Sequence, residues 1–106
     1  MIARVMLTNA GFALSREFDY IVPESMQETA QPGERVLVPF GVRNKSEEAV
    51  IVNLTDKSEY DKLKTIKKFL DKTPMFSKAQ LDLCRWLQEK YLCSFSQAYK
   101  QIKPPR

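Results

Sequence analysis

The apolar positions of this chain fall into short runs over its first half and into helical spacing over its last third. Ile2 to Leu7 mixes β-branched and apolar residues and stops at Thr8-Asn9-Ala10-Gly11, which predicts a strand followed by a loop. Phe18 to Val22 predicts a second strand, ended by Pro23. Residues 24–34 are polar and carry Pro32-Gly33, where proline presets φ and glycine accepts a positive φ, so a turn is expected there. Arg35 to Pro39 predicts a third strand. Past Phe40-Gly41, a charged loop is expected from Val42 to Glu48, and Ala49 to Leu54 predicts a buried fourth strand. Several short strands at such close spacing indicate a small barrel or tightly curled sheet.

The spacing then changes. Leu63, Ile66, Phe69 and Leu70 fit a helical period. Ser77 with Gln80 forms a capping box, and Leu81, Cys84, Leu87 and Tyr91 lie along one side of the helix it predicts. Ser94 with Gln97 repeats the signal, and Phe95, Ala98, Tyr99 and Ile102 predict a shorter helix that Pro104-Pro105 ends. No internal repeat or low-complexity segment interrupts the pattern. The predicted fold class is α+β and mainly β. A small OB-like curled barrel of four to five strands in residues 1–72 is followed, within a single domain, by one longer and one short helix in residues 73–106.

Composition narrows the function classes. At 106 residues the chain has room for one domain and not for a motor beside a binding module. With 43% hydrophobic and 28% charged residues it should fold rather than stay disordered. The longest apolar runs, such as Ala49-Val50-Ile51-Val52, fall far short of the roughly 20 residues of a membrane helix. Met1-Ile2-Ala3-Arg4 leads straight into a strand-like run without the features of a secretory signal, so a cytoplasmic location and no membrane partner are expected. Cys84 and Cys93, in a chain without histidine, cannot complete a four-ligand zinc site. Two reduced, packed thiols are expected, with a disulfide as the alternative.

The formal charge of +4 permits polyanion binding without requiring it. Between Lys57 and Lys72 six lysines stand against three acids, which reads either as a solvated face or as a surface that tracks phosphates. Catalysis finds little support. There is no histidine base, no glycine-rich elbow around a serine, and no phosphate loop of the Gly-x-x-x-x-Gly-Lys kind, so ATP hydrolysis is not available to this chain alone. Glu17 and Asp19 are both carboxylates, but two residues apart on one strand they have no burial or charge partner in the sequence to split their pKa values.

Binding is better supported. On an ideal strand Phe18 and Tyr20 share one face and Asp19 the other, so the plain reading is two core aromatics and a solvent-facing acid. Pro39-Phe40-Gly41 closes the third strand on a residue without a side chain, which lets a ligand come close to the backbone. A nucleic-acid base could stack there.

Arg16-Glu17-Phe18-Asp19-Tyr20-Ile21-Val22-Pro23, followed by Pro32-Gly33-Glu34-Arg35-Val36-Leu37-Val38-Pro39-Phe40-Gly41, closely resembles the opening of the PriA-type primosomal helicases, the replication-restart proteins. The resemblance runs from Ile2-Ala3-Arg4-Val5 through Leu63-Lys64 and Leu70-Asp71 to Trp86-Leu87 and Tyr91, with Glu48-Ala49-Val50 where the family usually carries a glycine. It implies the N-terminal domain that captures the free 3′-hydroxyl end of a DNA strand. It also implies a pocket of Phe18, Asp19, Tyr20, the Gly41 backbone and Lys64, in which the carboxylate meets the terminal ribose hydroxyl. The aromatic pair and the glycine wall would enclose the last base, and the lysine would close the pocket beside the nucleotide. Lys64 to Leu70 becomes a strand returning to the sheet, and the strand is the expectation adopted here.

The resemblance further implies a domain cut from a larger helicase whose later parts use ATP, magnesium and zinc, leaving this chain without a cofactor. The implied partners are single-stranded DNA 3′ ends at stalled replication forks, the remaining helicase domains and other primosome proteins. Two alternatives use the same residues differently. One is a protein-interaction or scaffold module whose lysine stretch meets an acidic partner, and the other is a general single-strand nucleic-acid binder.

Overall fold

A computed structural model describes residues 1–103 and places five strands before two helices: β1 (Ile2–Leu7), β2 (Phe18–Ile21), β3 (Arg35–Phe40), β4 (Lys45–Thr55), β5 (Lys68–Phe69), α1 (Lys78–Tyr91) and α2 (Phe95–Ile102). The strands form one antiparallel sheet in the order β2-β1-β4-β3-β5. The long central strand serves two neighbours: β3 pairs with its first half, from Lys45 to Val50, and β1 with its second, from Ala49 to Thr55. The β1–β4 register slips between Arg4 and Val5, and such a bulge bends a strand and increases its twist. The sheet edges then meet. The Ile21 amide donates to the Lys64 carbonyl at 2.9 Å, and the Ile21 carbonyl accepts from the Ile66 amide at 3.0 Å. The result is the small curled barrel expected from the strand spacing, with the two helices against its outside.

Alternation along the strands separates two cores. Ala3, Val5 and Leu7 of β1 and Ala49 and Ile51 of β4 point into the barrel, where they meet Tyr20, Val22, Val36, Val38 and Ile66. Met6 and Val50 lie between them in sequence and point the other way, onto Phe76, Cys84, Phe95, Ala98 and Tyr99 of the helical part. Fully burying a side chain such as Val50 or Phe76 is worth about 1.5–3 kcal/mol, so both layers contribute to one cooperative fold. Both helices start on the predicted capping boxes: Ser77 accepts from the Gln80 amide, and Ser94 from the Gln97 amide. Both cysteines are free thiols, and burial, with Cys93 nearby, pushes Cys84 up to about 11. No helix among the described residues is long and apolar enough to cross a membrane.

Three expectations need adjustment. The charged segment from Lys45 to Glu48 is strand rather than loop, because the backbone of β3 pairs with it out to Phe40 and Lys45 whatever the side chains carry. The hairpin loop shrinks to Gly41–Asn44. Lys64 to Leu70 is extended, as the resemblance implied, but its regular ladder covers only Lys68–Phe69, and the rest is held by single bonds such as Lys67 amide to Leu37 carbonyl at 2.8 Å. Tyr91 does not join the packed side of α1. It is 63% exposed, because α1 ends there in the left-handed Leu92 and the chain turns away. The proline pair Pro104-Pro105 lies outside the described residues.

Polar groups join the two layers. Arg35, on β3, donates two hydrogen bonds to Asp71, at 2.7 and 2.8 Å, and a third to Glu48 at 3.0 Å. The Thr8 and Tyr99 hydroxyls donate to the other Glu48 oxygen at 2.7 and 3.0 Å. Beside this network Glu34 is 2% exposed, and one carboxyl oxygen has no hydrogen-bond partner. Burial first, and the charge of Asp71 second, raise its pKa above the ordinary 4.5. A raised carboxyl favours the fold while it holds its proton and loses that contribution as pH rises through the folded-state value. Glu34→Gln is therefore expected to stabilise the domain by about 1 kcal/mol at pH 7, with the gain vanishing as pH falls toward 4.5. Urea titrations of parent and variant at both pH values check this.

Candidate nucleic-acid interface

The bond pair that closes the barrel also assembles the candidate site. Because Ile21 bonds on both sides to the segment Lys64–Ile66, Lys64 is carried alongside β2 and toward the open end of β3. There the hairpin turn needs positive φ at both ends, 78° at Gly41 and 53° at Asn44, which suits a glycine and an asparagine. The Gly41 carbonyl accepts from the Asn44 amide at 3.1 Å and from the Lys64 ammonium at 2.6 Å. A Cβ placed on Gly41 would meet nothing within 4 Å, so the space in front of this turn is open.

That space is a cavity of about 290 Å³, and Phe18, Asp19, Tyr20, Gly41 and Lys64 all line it. Phe40, Tyr60 and Arg16 line it too. Phe40 and Tyr60 add two rings to the aromatic pair that the resemblance implied. Tyr20 lines the cavity from a mostly buried position: its hydroxyl donates to the Pro39 carbonyl at 2.7 Å, and burial pushes it up to about 12, so it remains a protonated donor. Phe18 meets Phe40 edge to face, with ring centroids 5.1 Å apart. The Arg16 guanidinium sits 4.9 Å from the Phe18 ring centre, and Tyr60 leaves 59% of its surface exposed at the rim.

Asp19 is not the solvent-facing acid of the plain strand reading. Its side chain is only 8% exposed, because Arg4 stands directly opposite it on β1 and residue 58 folds over it. The Arg4 guanidinium lies 3.6 Å from Oδ1, and the Ser58 hydroxyl donates to Oδ2 at 2.5 Å. A carboxylate has about four acceptor directions, so these two partners hold the group in place and leave acceptor capacity at the cavity. The arrangement suits a ligand that offers a hydroxyl to a fixed negative charge and a flat face to aromatic rings. A phosphate placed against Asp19 would be repelled.

Sequence reasoning missed Arg4, Ser58 and Tyr60 as members of this site. Arg4 was legible, since pairing β1 antiparallel to β2 sets it against Asp19. Ser58 and Tyr60 sit in an irregular segment with no periodicity, where the Tyr60 amide donates to the Ser58 hydroxyl at 3.2 Å and the Ser58 hydroxyl in turn reaches Asp19.

Comparison with known proteins agrees with the resemblance. A family model for the 3′DNA-binding domain (3′BD) of PriA matches residues 4–104. The replication restart protein PriA of Haemophilus influenzae is 36% identical over 93 residues, covering 86% of this chain and 12% of the relative. The Bacillus subtilis protein of the same name is 30% identical over 79 residues, covering 74% of this chain and 10% of the relative. That of Rickettsia conorii is 29% identical over 86 residues, covering 81% and 13%. The chain thus spans roughly an eighth of the length of these relatives. With the family model matching almost every residue, the chain belongs to the PriA 3′DNA-binding domain family.

Proposed function

We propose that this domain binds single-stranded DNA ends, holding the 3′-terminal nucleotide in the Phe18–Asp19–Tyr20 cavity with Asp19 accepting from the free 3′-hydroxyl. The reading rests chiefly on one observation: a fixed carboxylate, an aromatic wall and an ammonium group converge on a cavity of about 290 Å³ at an open strand end. The terminal base lies against Phe18, Phe40 and Tyr60, where each stacking contact is worth about 1–3 kcal/mol and is indifferent to sequence. Lys64 releases the Gly41 carbonyl and offsets the phosphate of the last nucleotide, as a compact cation on a flexible stem can do. At arrested replication forks such a domain would position a primosomal helicase for restart, with the chemistry of ATP hydrolysis residing elsewhere in the longer protein.

The test is a fluorescence titration of parent and Asp19→Asn with short strands ending in 3′-hydroxyl or 3′-phosphate. The parent should prefer the hydroxyl end. Asp19→Asn should weaken that end about 10- to 150-fold, the loss of one charge-assisted hydrogen bond of about 1.5–3 kcal/mol, and should narrow the preference. Equal binding of the two ends by the parent, with a steep salt dependence carried by Lys67 and Lys68, would instead identify a general single-strand binder. Failure to bind either strand would leave the scaffold reading.

A further inference from the structure

A second and larger concavity, about 1280 Å³, lies between the sheet and the first turns of α1, and Arg16 and Glu17 line both it and the end cavity. Arg16 is therefore the hinge post between the two, with its guanidinium over Phe18 on one side and the groove on the other. The neighbouring Ser15 fixes the post in place. Its hydroxyl accepts from the Phe95 amide at 2.7 Å and from the Gln88 side chain at 3.3 Å, so the β1–β2 connection is pinned to both helices.

The groove is lined by cations on one helical stripe. Lys78 and Arg85 are seven apart on α1 and so face the same way, and both are exposed. With Arg16 they make three positive groups against the carboxylates of Glu17 and Asp82. None of the three cations is held in a salt bridge among the described residues. Apolar side chains, Met75 and Leu81 among them, line the same concavity, which gives the flat faces of bases something to lie on.

We propose that this groove carries the DNA strand on the 5′ side of its captured end, with Arg16, then Arg85 and Lys78, meeting successive phosphates. The inference rests on the end-binding reading above for its direction. Continuity decides the occupant: a strand whose last nucleotide fills the end cavity must leave through its mouth, and on this side the mouth opens past Arg16 into a groove with a small excess of positive charge. Two carboxylates against three cations make the attraction modest. The groove therefore adds affinity for length without turning the domain into a coat for single strands.

The experiment compares a 3′-hydroxyl dinucleotide with an eight-nucleotide strand of the same end, in the parent, Arg85→Ala, Lys78→Ala and Lys67→Ala. The parent should bind the longer strand about tenfold more tightly, and Arg85→Ala and Lys78→Ala should each lower that binding about three- to fivefold while leaving the dinucleotide unchanged. Each should also flatten the salt dependence of the longer strand by about 0.7 in slope. Equal affinity for both lengths would overturn the proposal. So would a length gain abolished by Lys67→Ala and untouched by Arg85→Ala, which would send the strand over the β3–β4 hairpin, where Lys67 bonds Ser46. A dinucleotide carrying 3′-phosphate separates the two readings. If it binds as well as the hydroxyl end while Arg85 still carries the length gain, the end cavity fails and the groove stands; if it binds poorly and length has no effect, the groove fails and the end cavity stands.

Discussion

Gly33→Ala is expected to remove about 4 kcal/mol or more of stability, a large share of the roughly 5–15 kcal/mol of an ordinary domain. Gly33 has φ of 97°, a conformation that costs an L-residue roughly 1–2 kcal/mol by itself. The larger part is steric. A Cβ at this position would lie 1.9 Å from the Phe76 carbonyl oxygen, a backbone atom that cannot swing aside as a flexible side chain would. Nor can the backbone separate freely, since the Gly33 carbonyl accepts from the Met75 and Phe76 amides at 3.0 and 3.2 Å and its amide donates to Ile51 at 2.8 Å. Moving Phe76 would open the second core, where its ring packs edge-on to Tyr99 at 5.4 Å. Gly11→Ala is the control: its φ of −70° suits any residue and its Cβ would meet nothing within 4 Å, so a change within about 0.5 kcal/mol is expected. Urea denaturation followed by circular dichroism reads both, and a loss below about 1 kcal/mol for Gly33→Ala would contradict the account.

Gly33 also marks how far the sequence could be read. Pro32-Gly33 announced a turn and a positive φ, and both are found. Nothing local announced that the backbone of Met75 and Phe76 docks onto that turn, because the contact joins segments that are distant in the chain and have no shared pattern. The same division runs through the fold. Strands with alternating apolar residues and helices with capping boxes were legible, since their signals are local. Where β4 begins was not, because Lys45 to Glu48 looks like solvated loop, and only pairing with β3 makes it strand.

The candidate site divides in the same way. Resemblance named five residues that line one cavity, but the arrangement of the aromatic wall depended on the third dimension. Tyr20 and Phe18 share a strand face and both line the cavity, yet Tyr20 is mostly buried and bonded to Pro39, and Phe40 stands edge to face with Phe18. Asp19 looked exposed for want of a visible partner, and Arg4 and Ser58 supply two.

Arg35→Ala is expected to destabilise the domain by about 3 kcal/mol. Arg35 is 8% exposed and holds Asp71 with Nε and Nη2 of its guanidinium and Glu48 with Nη1. Removing one partner of a buried ion-paired group typically costs about 3–5 kcal/mol, chiefly because charges are left behind without compensation. The lower end applies here, because the Asp71 and Glu48 side chains are 26% and 31% exposed and water can reach them. Arg35→Lys separates charge from geometry. A lysine keeps the positive charge but cannot present two parallel donors to Asp71, so a loss of about 1–2 kcal/mol is expected, between parent and alanine. Glu48 joins Arg35 on the sheet to Thr8 and to Tyr99 of α2, so one carboxylate ties the barrel to its helices. If lysine and alanine proved equally damaging in chemical denaturation, the fork on Asp71 would be what matters and the charge would not; if neither lowered stability by 1 kcal/mol, the network would be ornament on a fold held by its two apolar cores.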